Sequence, residues 1–416
     1  MAGTICKVSE YAFDCVVVGA GPAGSTAAIA AQRAGLSTLL IDAAGKHRDK
    51  TCGDGLTPRA VHTLERLGLT GVLPEYRNQG LKLHGFGGEV TAPWPQGRYG
   101  TQGSASPRAT FDAAVVSAAR AAGAAVWQDC PATGVELLNG AIHEVLTPRG
   151  AVRAKWVIVA DGVRSPLGKQ LGRVWHRTQV HGIAARSYCT SPLADEPWMH
   201  SHVELRDDGE LQPGYGWIFP LGNFTVNLGC GALSTAARPA SVNTKRLLRT
   251  YAAQQREAWQ LGPETQVASA LLPMGGAVSN VAGRNWALIG DAAACVNPLN
   301  GEGIDYGMET ALLAVELITQ SGRDIDLTLA WPYTLRTHYG DAFALARTAA
   351  RLLTYPQFLP AAGPLAMRGL GGRYLMPAAA RLMGNLITEE DRDLVARAWR
   401  AAGRVSPKGE ALWGVV

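Results

Sequence analysis

The sequence predicts a mixed α/β fold: a Rossmann-like nucleotide domain, an inserted antiparallel-sheet substrate domain and a helical C-terminal region. Three observations carry the prediction. CVVVGAGPAG followed by STAAIAAQRAG reads as buried strand, glycine turn and helix, and STLLID closes a βαβ unit. From about residue 180 short β-type runs alternate with turns. From about residue 328 the pattern is helical to the end, broken by Pro356, Pro360, Pro364 and Pro377.

The composition fits such a chain. Its 416 residues are 47% hydrophobic and 18% charged, enough for two or three packed domains. A net charge of +5 does not imply a nucleic-acid partner, though it permits weak attraction to phosphate or an anionic membrane. Seven cysteines at 6, 15, 52, 130, 189, 230 and 295 form no CxxC, and no HxxxH or HExxH occurs, so neither metal nor disulfides are expected. MAGTICKVSEYAFD does not read as a signal peptide, and no apolar run is long enough to span a membrane. The chain is therefore expected on the cytoplasmic side.

The elements sort into three parts. Segments 1–80, 101–178 and 273–328 are assigned to a discontinuous nucleotide domain. Segments 81–100 and 179–272 make a β-rich substrate domain, with 81–100 a short excursion. Residues 329–416 form a helical cap. PRATFDAAVVSAARAAG and TKRLLRTYAAQQREAW are expected helices, and AVRAKWVIVADGVRS a strand ending in a turn.

Gly19-Ala20-Gly21-Pro22-Ala23-Gly24 fits GxGxxG between strand and helix. The first glycine makes the tight turn, the second lets backbone approach a pyrophosphate, and the third lets helix pack on strand. Free N–H groups at the helix start then face the phosphates. Asp42 ends the second strand, where a carboxylate accepts from a ribose hydroxyl. Asp161-Gly162 and Gly290-Asp291 each place an aspartate after an apolar strand, where ligands sit in this architecture. The alternative for either aspartate is a turn residue capping a helix.

The trio GAGPAG, ADGVRS and GDAAACVNPLNGEGI resembles the FAD-dependent para-hydroxybenzoate hydroxylase superfamily. Within it, KTCGDGLTPRA and PGYGWIFP resemble the geranylgeranyl reductase family. RDKTCGDGLTPRA, GYGWIFPLGN, LLPMGGAVS, IGDAAACVNPLNGEGIDYG and FLPAAGP are similar to its actinobacterial menaquinone reductase branch. The resemblance runs over most of the chain and implies an FAD enzyme that saturates an isoprenoid double bond. It implies that Gly19 to Ala23 hold the FAD pyrophosphate and that Lys50, Thr51, Cys52 and Gly53 lie along the flavin. It implies further that Arg108 forks onto phosphate or ribose, Ala132 meets the adenine half and Asp291 bonds the ribityl chain or ribose. Gly303 and Ile304 would offer N–H groups near the ring, where they stabilise the charge on the reduced flavin.

An isolated trisubstituted alkene lacks a carbonyl to accept hydride. It is reduced by protonation to a tertiary cation followed by hydride delivery. That chemistry needs a proton donor, aromatic faces that stabilise positive charge and exclusion of water. Cys52 is the first candidate as donor or positioning group; the alternative is a small buried hydrophobe. Tyr215 and Trp217 share one strand face as i and i+2 and either line a prenyl channel or form an ordinary core stripe.

From Ala342 to Thr388 there is no Asp, Glu or Lys but five Arg, among many apolar residues. That stretch either lies on an anionic leaflet as a peripheral contact or caps the core with solvated arginines. The expected substrate is a membrane-resident polyprenyl quinone. No second GxGxxG follows a strand, so the electron donor is an unidentified partner. The competing readings are a geranylgeranyl lipid or diphosphate reductase, an aromatic monooxygenase and a non-catalytic lipid-binding flavoprotein. No WxWxIP-like halogenase motif is found.

Overall fold

Strand Tyr11–Val18 is buried along its second half because it pairs on both edges, parallel to Thr38–Ile41 and to Gly150–Val159. A strand covered on both sides reads as a continuous apolar run, here CVVV. Trp286–Leu288 extends the parallel array beyond Gly150–Val159, and Ala125–Trp127 extends it beyond Thr38–Ile41. A hairpin, Gly134–Leu138 with Ala141–Thr147, adds antiparallel strands to the same eight-stranded sheet. The parallel strands all end at one edge, and the turns at that edge build the site. The computed structural model describes residues 11–45, 49–240, 242–320, 325–384, 386–407 and 412–414. The N-terminal segment read for a signal peptide lies largely outside them, with Cys6.

The second sheet has seven strands in the order Thr265–Pro273, His181–Thr190, Thr225–Ser234, Gly214–Pro220, Trp198–His202, Gly80–Gly85 and Gly88–Pro93. All neighbours are antiparallel except Trp198–His202 and Gly80–Gly85, which run parallel. The stretch expected as an excursion thus holds the hairpin at the sheet's far edge. Helix Thr244–Trp259 covers one face with Leu247, Leu248 and Tyr251.

The C-terminal region is helical over Leu327–Leu353, Phe358–Met367, Met376–Met383 and Leu394–Val405. Two of the four prolines do not act as breakers. Pro360 sits in the first turn of Phe358–Met367, where its missing N–H costs nothing, and Pro364 is carried inside that helix. Pro377 starts the next helix and Pro356 falls between two. Among the described residues, no helix is long and apolar enough to cross a membrane.

Candidate active site

One cleft runs from the glycine turn of the first sheet to the inner face of the second, from Gly21, Pro22 and Ala23 to Tyr215, Trp217 and Phe219.

The nucleotide end is built from backbone. Gly19 has φ +105°, and a Cβ there would lie 2.3 Å from the Ala160 carbonyl oxygen. A Cβ on Gly24 would lie 1.7 Å from the Gly19 oxygen. Helix Pro22–Arg33 starts at Gly21 with no side-chain cap, and Gly21, Pro22 and Ala23 line the cleft. A free helix start beside a surface that tolerates only glycine fits a pyrophosphate. Asp42 accepts the Ala20 N–H and, at 2.7 Å, the Ala44 N–H. Together with Ala20, Gly45, Asp112 and Gln128 it borders a small adjoining hollow. Ala132 borders neither space and packs against the core of the first sheet.

Lys50, Thr51, Cys52 and Gly53 line the middle of the cleft. Lys50 forms an ion pair with Asp291, which Gly290–Ala293 brings to the end of strand Trp286–Leu288. Gly290, at φ +57°, lets that turn pack on Ala23 and Gly307. Gly303 and Ile304 open helix Ile304–Gln320 and border the cleft, but the Ile304 N–H donates to Glu302 at 2.9 Å. Burial pushes the Glu302 carboxyl up to about 7.

Asp161 and Arg108 are both held by neighbours in their own elements. Asp161 does not border the cleft, although Ala160, Gly162 and Val163 do. Its carboxylate accepts the Ser165 hydroxyl at 2.5 Å and the Leu167 N–H at 2.8 Å, so it caps the short helix Pro166–Gln170. Arg108 does border the cleft, but its fork closes on Asp112, with Nε and Nη2 at 2.8 and 2.9 Å from the two carboxylate oxygens. The pair is buried on one helix at i, i+4. The guanidinium still faces the Cys52 thiol, which burial pushes up and Arg108 draws back down.

The opposite wall is built from side chains. Tyr215, Trp217 and Phe219 occupy alternate positions of Gly214–Pro220, with successive ring centroids 5.8 and 6.2 Å apart. Trp217 pairs in register with Gly229 of the next strand, where a Cβ would lie 2.1 Å from the indole. The Tyr215 hydroxyl donates to the Asn300 carbonyl at 2.6 Å. The Trp217 Nε1–H donates to Asn227 Oδ1 at 2.9 Å, and Asn227 Nδ2 donates to the Cys52 carbonyl and to Asp54 Oδ2, each at 2.8 Å. Asn227 thus ties the aromatic wall to the Cys52 loop. Met383 and Gly384 close one side, held where Asn300 Nδ2 donates to the Met383 carbonyl at 2.7 Å.

Sequence reading gave no chemistry to Asp54 and overlooked Tyr188, Asn227 and Glu302. A buried acid inside a Gly-rich loop, Cys52-Gly53-Asp54-Gly55, was the available signal for the first.

The family model for the FAD binding domain matches residues 12–320. A menaquinone reductase of Mycolicibacterium smegmatis is 52% identical over 398 residues, 94% of this chain and 96% of that one. Digeranylgeranylglycerophospholipid reductase 1 of Methanopyrus kandleri is 28% identical over 82% of this chain and 90% of its own. The crystal structure of a geranylgeranyl bacteriochlorophyll reductase-like protein from Thermoplasma acidophilum superposes with a TM-score of 0.71 at 20% identity, covering 94% of this chain and 96% of that one. At that identity the likeness speaks for the fold.

Proposed function

We propose, from the premise that this chain belongs to the menaquinone reductase family of FAD-binding proteins, that it saturates one isoprene unit in the polyprenyl tail of menaquinone. The observation that carries the reading is the cleft itself. A backbone-built dinucleotide end opens directly onto an aromatic, largely apolar wall, with Cys52 at the junction.

FAD is the cofactor, and when reduced it supplies the hydride. The residues that would hold it are Gly19 to Gly24, Asp42, Lys50 to Gly53, Asp291, Gly303 and Ile304. The chain's other work is to seat the alkene and stabilise charge. Trp217 and Tyr215 present π faces to a cation in a dry site, worth about 0.5–2 kcal/mol each. Cys52, Tyr215 and Trp217 are the three side chains we place against the prenyl unit.

A substrate that lives in a bilayer needs delivery. Exposed apolar side chains gather in one stretch of the C-terminal helices, with Leu365, Leu370, Tyr374 and Leu375 at 77%, 75%, 62% and 58% exposure. Arg373 is exposed beside them, and the same run of chain ends at Met383 on the cleft. We place this surface on an anionic leaflet. The sequence overstated its charge: Arg347 is bonded to the Gly275 carbonyl, Arg368 to the Phe86 carbonyl, and Arg381 to Asp391 and Asp393. The apolar side chains therefore carry more of the contact. Flotation with anionic vesicles at low salt is the check, and protein left at the bottom of the gradient rejects the surface.

The decisive experiment for the reaction is anaerobic photoreduction of the flavin followed by menaquinone. The expected result is flavin reoxidation coupled to a mass gain of one H₂ in the tail. A gain on a geranylgeranyl lipid but none on menaquinone moves the substrate to that class.

A further inference from the structure

The reduction needs a proton as well as a hydride, and three acidic side chains border the cleft near its aromatic wall: Cys52, Asp54 and Glu302. Glu302 is committed as the acceptor of the Ile304 N–H at a helix start. The Cys52 sulfur accepts the Asp54 N–H at 3.4 Å, and burial makes its thiol a weaker acid than a free one.

Asp54 differs from both. It is fully buried, and it holds φ +63° in a loop of otherwise glycine-rich chain. Non-glycine residues in that region are uncommon, and Asp and Asn are the ones that tolerate it. Its Oδ2 receives two hydrogen bonds, from the Tyr188 hydroxyl at 2.6 Å and from Asn227 Nδ2 at 2.8 Å. Its Oδ1 is buried with no partner among the described residues. A carboxylate in such a place leaves one oxygen desolvated and bare, whereas a carboxylic acid carries its proton there.

We propose that Asp54 is the acid of this site, the proton on its Oδ1 passing to the alkene. This rests on the reading of the site as an alkene reductase. The π pair of the C=C bond takes the proton, leaving a tertiary cation on the substrate and a carboxylate on Asp54. Hydride from the reduced cofactor closes the cation. Asp54 regains its proton from water when the product leaves. Burial, the largest influence, pushes its carboxyl up to about 6, while the bonds from Tyr188 and Asn227 and the charges of Arg108 and Arg186 pull it back. The other titratable neighbours are the Cys52 thiol and the Tyr188 phenol. A donor of that strength lies closer to neutrality than the buried thiol, as general acid catalysis favours; Glu302, which burial lifts to about 7, is set apart by geometry, its carboxylate already holding the N–H at a helix start.

Asp54→Asn is the informative variant, since Asn keeps the backbone conformation and both bonding partners can still be met. Two readouts apply. In oxidised, substrate-free holoprotein, the infrared carboxylic-acid stretch should titrate near pH 6 in the parent and vanish in Asp54→Asn. In single turnover, flavin reoxidation by menaquinone should rise as pH falls through that value in the parent. The Asn variant should lose that limb and about 100-fold or more in rate, with flavin absorbance and affinity unchanged. Tyr188→Phe, which removes one bond to the carboxylate, should keep turnover and move the limb to higher pH. The assignment is overturned if Asp54→Asn keeps the limb, or if Glu302→Gln or Cys52→Ser abolishes it while Asp54→Asn does not. A parent that leaves menaquinone unchanged sinks the substrate reading alone; the same comparison with a geranylgeranyl lipid then decides Asp54.

Discussion

The two walls of the cleft are made of different material. At the nucleotide end, glycines meet backbone: Gly19 against the Ala160 carbonyl and Gly24 against the Gly19 carbonyl. At the tail end, two glycines meet rings first, Gly229 under the Trp217 indole and Gly53 beside the Phe219 ring, while Gly214 at the strand's start still meets the Gly231 carbonyl. Backbone cannot retreat without unpairing a sheet, whereas a ring can turn. The first wall therefore specifies one rigid group, and the second can adapt to a flexible chain of methyl-branched units.

The largest effect should come from the wall that cannot yield. Gly24→Ala places a Cβ inside the Gly19 oxygen's contact distance, and overpacking of that kind costs at least about 1–3 kcal/mol. We expect a protein that purifies without flavin or fails to accumulate, read from the flavin-to-protein absorbance ratio. A fully loaded variant would mean that this turn is softer than its geometry shows.

The tail wall should separate binding of FAD from use of the substrate. Trp217→Phe keeps an aromatic face and loses the bond to Asn227. We expect kcat/KM for the quinone to fall about 2–13-fold, the range of one lost hydrogen bond of about 0.5–1.5 kcal/mol, with FAD affinity unchanged. Trp217→Ala should cost about 3–5 kcal/mol of stability in addition, through the cavity it leaves. Equal loss of flavin and turnover in Trp217→Phe would erase the distinction between the walls.

The two ends also differed in how far the sequence exposed them. The glycine turn was legible because only glycine satisfies its positive φ and close approaches, so the constraint is written as a motif. The i, i+2 spacing of Tyr215 and Trp217 marked one strand face, to which the structure adds Phe219. The Asp54 network was not legible, because its members come from the loop after the second strand and from two strands more than 130 residues away, at Tyr188 and Asn227. The Arg108 fork is taken up by Asp112, four residues on, the spacing at which helical ion pairs form, while the guanidinium still borders the cleft. The prolines misled because position within a helical turn, which the pattern leaves open, decides whether proline breaks it.

A smaller effect should appear in stability against pH. The Asp54 carboxyl is held above its ordinary range by burial. A raised carboxyl stabilises the fold below the unfolded value and loses that contribution as pH rises through the folded one. Relative to the parent, Asp54→Asn should therefore gain on the order of 1–3 kcal/mol between about pH 4 and pH 7. Parallel melting curves across that range, without substrate, measure it; a constant difference would mean the parent buries no titrating charge there.

The smallest effect tests Asp161 against Asp291, two aspartates that looked alike in sequence. Asp161 bonds the Ser165 hydroxyl and the Leu167 N–H, both in its own turn. Asp161→Ala should cost about 1 kcal/mol of stability, the usual loss of a cap, and leave FAD affinity within about twofold. Asp291 stands on the cleft and answers Lys50, so Asp291→Asn should weaken FAD with little change in melting temperature. Both differences are read by flavin titration of apoprotein and by thermal melts. If Asp161→Ala releases the flavin, its carboxylate reaches the cofactor after all. The ends of parallel strands would then serve ligand and fold through the same side chain, whereas the structure divides those tasks between two.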